Sequence, residues 1–204
     1  MTDALTSRHH SGGEAPTHAS EDPHAVPAST TRRPSTFEEI FEREVDWVVR
    51  TLRRLGVGAA DVEDVAQQLF VAVLGRMSER SPSQPVRPWL FAFALRAAAN
   101  HRRLARHRRE VLDEGRGAAE ATATSLPTPE DNVSRSEDRA LLLAALDELD
   151  LVRRAVVVMH DLDEMSAPVI ASALGVPLNT VYSRIRLGRA ELEAAIHRLA
   201  RRAR

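Results

Sequence analysis

The stretch Ser166–Arg189, SAPVIASALGVPLNTVYSRIRLGR, admits few folds. Ile170, Ala171 and Leu174 recur at helical spacing, and Gly175 follows the last apolar residue, where a helix that stops often needs positive φ. Pro177 cannot extend that helix but suits the opening of another. Val181, Ile185, Gly188 and Leu192 then share one face of a second helix. A small Ala171 lets the helices cross closely, Gly175 makes the corner, and branched residues anchor the second helix: a helix-turn-helix pattern. At about 100° per residue from Val181, the opposite face carries Asn179, Ser183 and Arg186, with Tyr182 on its flank. Side chains of these types donate to base edges and phosphates. No acid lies between Glu164 and Glu191, whereas Arg184, Arg186 and Arg189 do. A helical hairpin with a solvated basic face is the alternative at this point.

Charge distribution matters more than its total, because the 204 residues carry a net charge of only −1. All 28 basic residues are arginine, which supplies many planar, bidentate donors. With no cysteine, disulfides, thiolate catalysis and Cys-ligated zinc are excluded. No apolar run approaches the ~18 residues of a membrane span and no leader-like apolar region opens the chain, so the expectation is a soluble, cytoplasmic protein.

Residues 1–36 are rich in Ser, Thr, Pro, His and Gly without apolar period and read as a disordered tail. His9, His10, His18 and His24 lack regular spacing, so they read as solvated rather than metal-binding. A first helical domain is expected over 37–109. Thr36 and Glu39 form a capping-box pattern ahead of a stripe from Phe37 to Leu55, and Gly56-Val57-Gly58 breaks it. A second helix opens near Asp61 with Val62, Val65, Ala66, Leu69 and Val73 facing a core. Its other face carries Asp64, Gln67, Gln68 and Val71, with Leu74 nearby. Outward apolar residues among polar amides suit a partner-binding stripe. Ser78–Pro88 has three prolines and reads as a loop.

A third helix is expected from Trp89 to about Arg109. Its stripe of Arg96, Asn100, Arg103 and His107 runs toward Trp89 and Phe93, a surface suited to nucleic acid, although Phe93 reads rather as core. Residues 110–134 read as an acidic linker; about 25 residues reach at most roughly 80 Å when extended. The second helical domain, 135–204, is expected to hold a helix from Ser136 to Leu149, then one from Leu151 capped by Asp150, then the helix-turn-helix. His160, Asp161, Asp163 and Glu164 have no distant partners to complete a site, so no metal, no cofactor and no catalytic residue is expected, and the chain does not read as an enzyme. The fold class is all-α: two small helical domains joined by a flexible linker, the C-terminal one a helix-turn-helix.

Three segments in order resemble the extracytoplasmic-function (ECF) type of bacterial RNA polymerase sigma factor, in the sigma-70 family. Asp61-Val62-Glu63-Asp64-Val65-Ala66-Gln67-Gln68-Leu69-Phe70 is similar to that family's D-x-E-D-x-x-Q-E-x-F. Arg87-Pro88-Trp89-Leu90-Phe91, with the basic HRRLARHRRE beyond, resembles its x-x-W-L-Y helix. Leu149–Arg189 resembles its L-P-x-x-x-R-x-V…I-A-x-x-L-G-x-P-x-x-T-V-x-S-R segment. The resemblance implies that Asp61, Asp64, Gln67, Gln68 and Val71 dock on core RNA polymerase, whose beta-prime clamp helices and beta flap are the partners. It implies that the loop Ser78–Pro88 and the Trp89 helix open the promoter minus-ten element and hold a flipped base, with Trp89, Arg96, Asn100, Arg103 and His107 as the contacting residues. Asn179, Thr180, Tyr182, Ser183 and Arg186 would lie over the minus-thirty-five groove, with Arg184 and Arg189 on phosphates. It also implies an anti-sigma partner. Gln68 stands where Glu is usual, Arg96 and Asn100 where Asn and Asp are usual, Tyr182 where Lys is common, Asp150 for a common Pro, and Met165 where Gly often occurs. The rival is a stand-alone helix-turn-helix transcriptional regulator.

Overall fold

The computed structural model describes residues 36–113 and 131–202. Within them lie seven α-helices and no strand. Helix α1 spans Phe37–Arg54 and opens with the expected capping box: Glu39 N–H donates to Thr36 Oγ1 (3.3 Å) and Thr36 N–H to Glu39 Oε2 (3.2 Å). Helix α2 spans Val62–Leu74 and α3 spans Val86–Asp113. These three pack together on Ile40, Trp47, Val48, Leu52, Leu69, Val73, Leu90, Phe91 and Ala94. Each large apolar side chain buried this way contributes roughly 1.5–3 kcal/mol against an unfolded chain.

The connection before α3 is shorter than the sequence suggests. Met77–Glu79 forms a 3₁₀ turn, and α3 begins at Val86 rather than Trp89. Pro88 falls in the first turn, where backbone N–H groups have no intrahelical acceptor, so the proline does not delay the helix.

Helix α4, Asp131–Asp147, starts before Ser136. The linker expected over 110–134 is therefore bounded by helix at both ends; residues 114–130 lie outside the described residues, as does the tail before Thr36. Asp150 caps α5 (Leu151–Val157), accepting from Val152 N–H (2.9 Å) and Arg153 N–H (3.0 Å). The last turn of α5 widens into a π turn, Val158–Leu162, and the chain reverses through Glu164 at φ 54°. Helix α6 (Ala167–Leu174) ends at Gly175 with φ 65° and ψ 36°, the left-handed corner its position implied, and α7 runs Leu178–Arg202. Val181, Ile185 and Gly188 are buried on α7. A second close approach lies at Gly188, where α7 crosses α5: a Cβ there would sit 2.6 Å from Val157 Cγ2, while Ala171 on α6 is half-buried.

The two bundles touch. Helix α6 packs on α3, and α4 meets α1. Arg154, 1% exposed, pairs with Asp147 Oδ1 at 2.8 Å and lies against Gly56, whose φ of 93° no Cβ-bearing residue adopts readily. Asp163, in the turn before α6, accepts from Trp47 Nε1 (3.2 Å) and Arg54 Nη1 (2.9 Å) of α1.

Candidate nucleic-acid interface

The second helix of the helix-turn-helix presents the face its spacing implied. With Val181 and Ile185 buried beneath it, α7 exposes Asn179, Tyr182, Ser183 and Arg186, while Thr180 and Arg184 are half-buried. Ser183 Oγ donates to Thr180 O at 2.9 Å, which leaves its lone pairs outward as acceptors. Arg189 is engaged within the chain: its guanidinium grips Asp161 with Nε at 3.0 Å from Oδ2. That grip, helped by His160, holds the Asp161 carboxyl below its ordinary range against the opposing effect of burial, and raises Arg189 in turn.

Helix α3 exposes Arg96, Asn100, Arg103 and His107 along one stripe, with Arg103 Nη2 donating to Asn100 Oδ1 at 3.0 Å. Trp89 is half-buried and Phe93 is core, the two rings edge-to-face with centroids 5.0 Å apart. Cations close both ends of this pair. Arg96 lies over Phe93 at 6.0 Å, and Arg80, from the connection before α3, lies over Trp89 at 5.8 Å.

Helix α2 exposes Asp64, Gln67, Gln68, Val71 and Leu74, the last two 71% and 56% accessible. An apolar pair this open gains nothing from the fold of its own chain and suits a partner. Asp61 does not cap α2; its Oδ2 lies 3.0 Å from His101 Nε2 of α3. A groove of about 300 Å³ between α2 and α3 joins Asp61, Asp64 and Gln68 to Asn100 and Arg108, so the two candidate surfaces adjoin.

The acids after His160 serve packing. Asp161 binds Arg189 and His160, and Asp163, its side chain 4% exposed, binds Trp47 and Arg54. Among the described residues no group of three or more His, Asp or Glu is placed to hold a metal ion, and no helix is long and apolar enough to cross a membrane. Sequence reasoning missed Glu44, Trp47, Arg80 and Arg154, and it read Asp163 as loop without distant partners although Trp47 and Arg54 bind it. Glu44 is buried and shared by Arg43 (3.2 Å) and Arg87 (2.8 Å), an arrangement that joins α1 to the start of α3.

Two sequence families match the chain: "Sigma-70 region 2" over residues 40–109 and "Sigma-70, region 4" over residues 139–192. RNA polymerase sigma factor NccH of Alcaligenes xylosoxydans xylosoxydans is 31% identical over 161 residues, covering 78% of this chain and 86% of that protein. The solved structure of CnrH in complex with the cytosolic domain of CnrY superposes with a TM-score of 0.53 at 25% identity, covering 79% of this chain and 87% of CnrH. Sigma factor RpoE of Bartonella quintana, solved with the anti-sigma factor NepR, shares the fold with a TM-score of 0.63 at 17% identity, over 79% of this chain and 96% of that one.

Proposed function

This chain belongs to the extracytoplasmic-function group of the sigma-70 family and directs RNA polymerase to promoters, and we propose that its helical bundles divide that work. The observation that carries this division is that three candidate faces stay exposed although the bundles pack together.

On this reading α2 docks on the beta-prime clamp helices through Asp64, Gln67, Gln68 and Val71, with Asp61 at the edge of that face. The protruding Val71 and Leu74 support an apolar dock framed by polar amides. The α3 stripe of Arg96, Asn100, Arg103 and His107, together with Trp89, receives the opened minus-ten strand, guanidinium groups on phosphates and the ring beside unstacked bases. Asn179, Thr180, Tyr182, Ser183 and Arg186 read the minus-thirty-five groove from α7, with Arg184 and Arg189 on flanking phosphates. The bundle of residues 135–204 also meets the beta flap. The protein performs no catalysis of its own and works in the cytoplasm. RpoE of Bartonella quintana was solved with the anti-sigma factor NepR, and CnrH with the cytosolic domain of CnrY; on this reading an anti-sigma factor completes the partner set.

Transcription reconstituted with core polymerase tests the whole reading. Promoter-dependent starts beyond those of core alone support it, and their absence rejects it. A chain carrying Asp64→Arg and Gln67→Ala should fold normally yet fail to co-purify with core. Unchanged co-purification would favour a helix-turn-helix regulator that binds duplex DNA without polymerase.

A further inference from the structure

The seam between the two bundles buries charge that it only partly satisfies. Arg154 of α5 is 1% exposed, yet only its Nη1 is paired, with Asp147 Oδ1. Its Nε and Nη2 are buried and find no acceptor among the described residues. Asp147 belongs to the same bundle, so that pair does not hold the two bundles together, although Arg154 itself lies against Gly56 beyond the end of α1. Arg102 of α3 likewise buries an Nη1 without a partner among the described residues. Burial lowers the hold of Arg154 on its proton, Asp147 opposes that, and the charge of Arg102 adds to it. Asp163 does tie the bundles, through Trp47 and Arg54 of α1, but its Oδ2 is buried with no donor among the described residues. Buried polar groups left unpaired cost free energy that hydration returns once they are exposed. The seam therefore combines one latch with two cations whose burial works against it.

We propose that this seam is a conformational switch: Asp163 latches the bundles in the free chain, the undercompensated Arg154 and Arg102 weaken the closure, and binding to core polymerase completes the opening. The inference rests on the reading that one bundle handles the minus-ten element and the other the minus-thirty-five element. Those elements lie about 25 base pairs apart, which is roughly 85 Å at about 3.4 Å per pair. A compact body the size of the described chain, about 150 residues, is only about 40 Å across. Bundles packed as they are cannot rest on both elements at once. Residues 114–130, between α3 and α4, reach at most roughly 60 Å when extended, which with the widths of the bundles spans the gap. The free energy of opening is then subtracted from the affinity for polymerase, so the latch sets that affinity without touching the partner.

Energy transfer between two dyes reads the switch. The chain has no cysteine, so Asp46→Cys and His197→Cys place one thiol on each bundle, at exposed positions outside the three candidate faces. Transfer should be high in the free chain and fall when core polymerase is added; transfer that stays high with core bound overturns the proposal. Asp163→Ala should lower transfer in the free chain and tighten core binding about three- to tenfold, although it melts at a lower temperature. Arg154→Met removes the buried charge and keeps the bulk. It should bind core several-fold more weakly, with its melting temperature unchanged or raised. A seam that serves stability alone would make core binding follow stability in both variants, and that result overturns the switch as well. A wild-type chain that fails to bind core rejects the functional reading instead, while transfer in free Asp163→Ala still decides whether Asp163 is a latch.

Discussion

Asp163 accepts a hydrogen bond from the Trp47 indole at 3.2 Å although 116 positions separate them in the chain. Arg54 reaches the same carboxylate oxygen at 2.9 Å. The turn that introduces the helix-turn-helix is thereby fastened to α1, and the second carboxylate oxygen is buried without a partner among the described residues. Asp163→Ala removes the acceptor from both donors and should cost about 2–3 kcal/mol, read by urea unfolding.

The pH dependence of that contact has a defined sign. Burial pushes the Asp163 carboxyl above its ordinary value of 3.8, with Arg54 pulling the other way. A carboxyl whose value is raised by folding holds its proton more tightly in the native state. Its contribution is therefore complete below the unfolded value and is lost as pH rises through the folded one. Asp163→Asn cannot ionise. Its stability deficit against wild type should shrink between about pH 4 and pH 7, measured by unfolding at both ends. A deficit that grows with pH would mean that the attraction of Arg54 outweighs desolvation.

Backbone strain makes a separate prediction. Glu164 sits at φ 54°, where a side chain costs about 1 kcal/mol, so Glu164→Gly should stabilise by roughly that amount. Gly188→Ala should act oppositely, because its Cβ would press on Val157 and on the Arg153 carbonyl. A loss of about 1–3 kcal/mol is expected, with the α5–α7 crossing forced apart. Thermal melts of the two variants and the wild type decide both.

These contacts also show which parts of the fold the chain announces locally. Gly175 and Pro177 punctuate the helix-turn-helix, and the buried faces of α2 and α7 follow their apolar period, so those elements and the exposed faces of Asp64–Val71 and Asn179–Arg186 are legible residue by residue, whereas α1 also buries Glu44 and Thr51 and exposes Phe41. Trp47 with Asp163, and Arg154 against Gly56, are not legible, because such pairs have no periodicity and depend on how the bundles meet. Arg80 escaped notice for a different reason: it lies in a stretch without period, and only the chain's return into α3 brings it over Trp89. The start of α3 was misplaced because three prolines suggest a loop, although one of them falls where a helix tolerates it.

Val71 separates docking from stability. Being 71% exposed, it contributes little to the core, so Val71→Arg should leave the melting temperature nearly unchanged. If α2 is the polymerase dock, the same change should weaken core binding by at least about tenfold, since a buried unpaired charge at an interface costs more than 1.4 kcal/mol. Pull-down of core polymerase at matched protein concentration provides the measurement. Equal recovery of core would move the dock off this face.

Arg186 and Arg189 lie three residues apart on α7 yet differ in how free they are, and that difference is testable. Arg186 is exposed and makes no ion pair among the described residues, so Arg186→Ala should cost about 1–3 kcal/mol in promoter binding and relax preference at one base position. Arg189 is restrained by Asp161, whose carboxyl Arg189 holds low; that pairing persists at neutral pH and is lost only as pH falls below the ordinary carboxylate range. DNA must therefore compete with Asp161 for this guanidinium. Asp161→Asn should release it, strengthening promoter binding a few-fold and steepening the salt dependence by up to about 0.9, one phosphate contact on duplex DNA. The stability lost with so exposed a pair should stay under about 1 kcal/mol. The double variant Asp161→Asn with Arg189→Ala removes the released cation, and the gain should vanish with it. If Asp161→Asn alone changes neither affinity nor slope, Arg189 serves the fold and Arg184 is left as the phosphate contact on this helix.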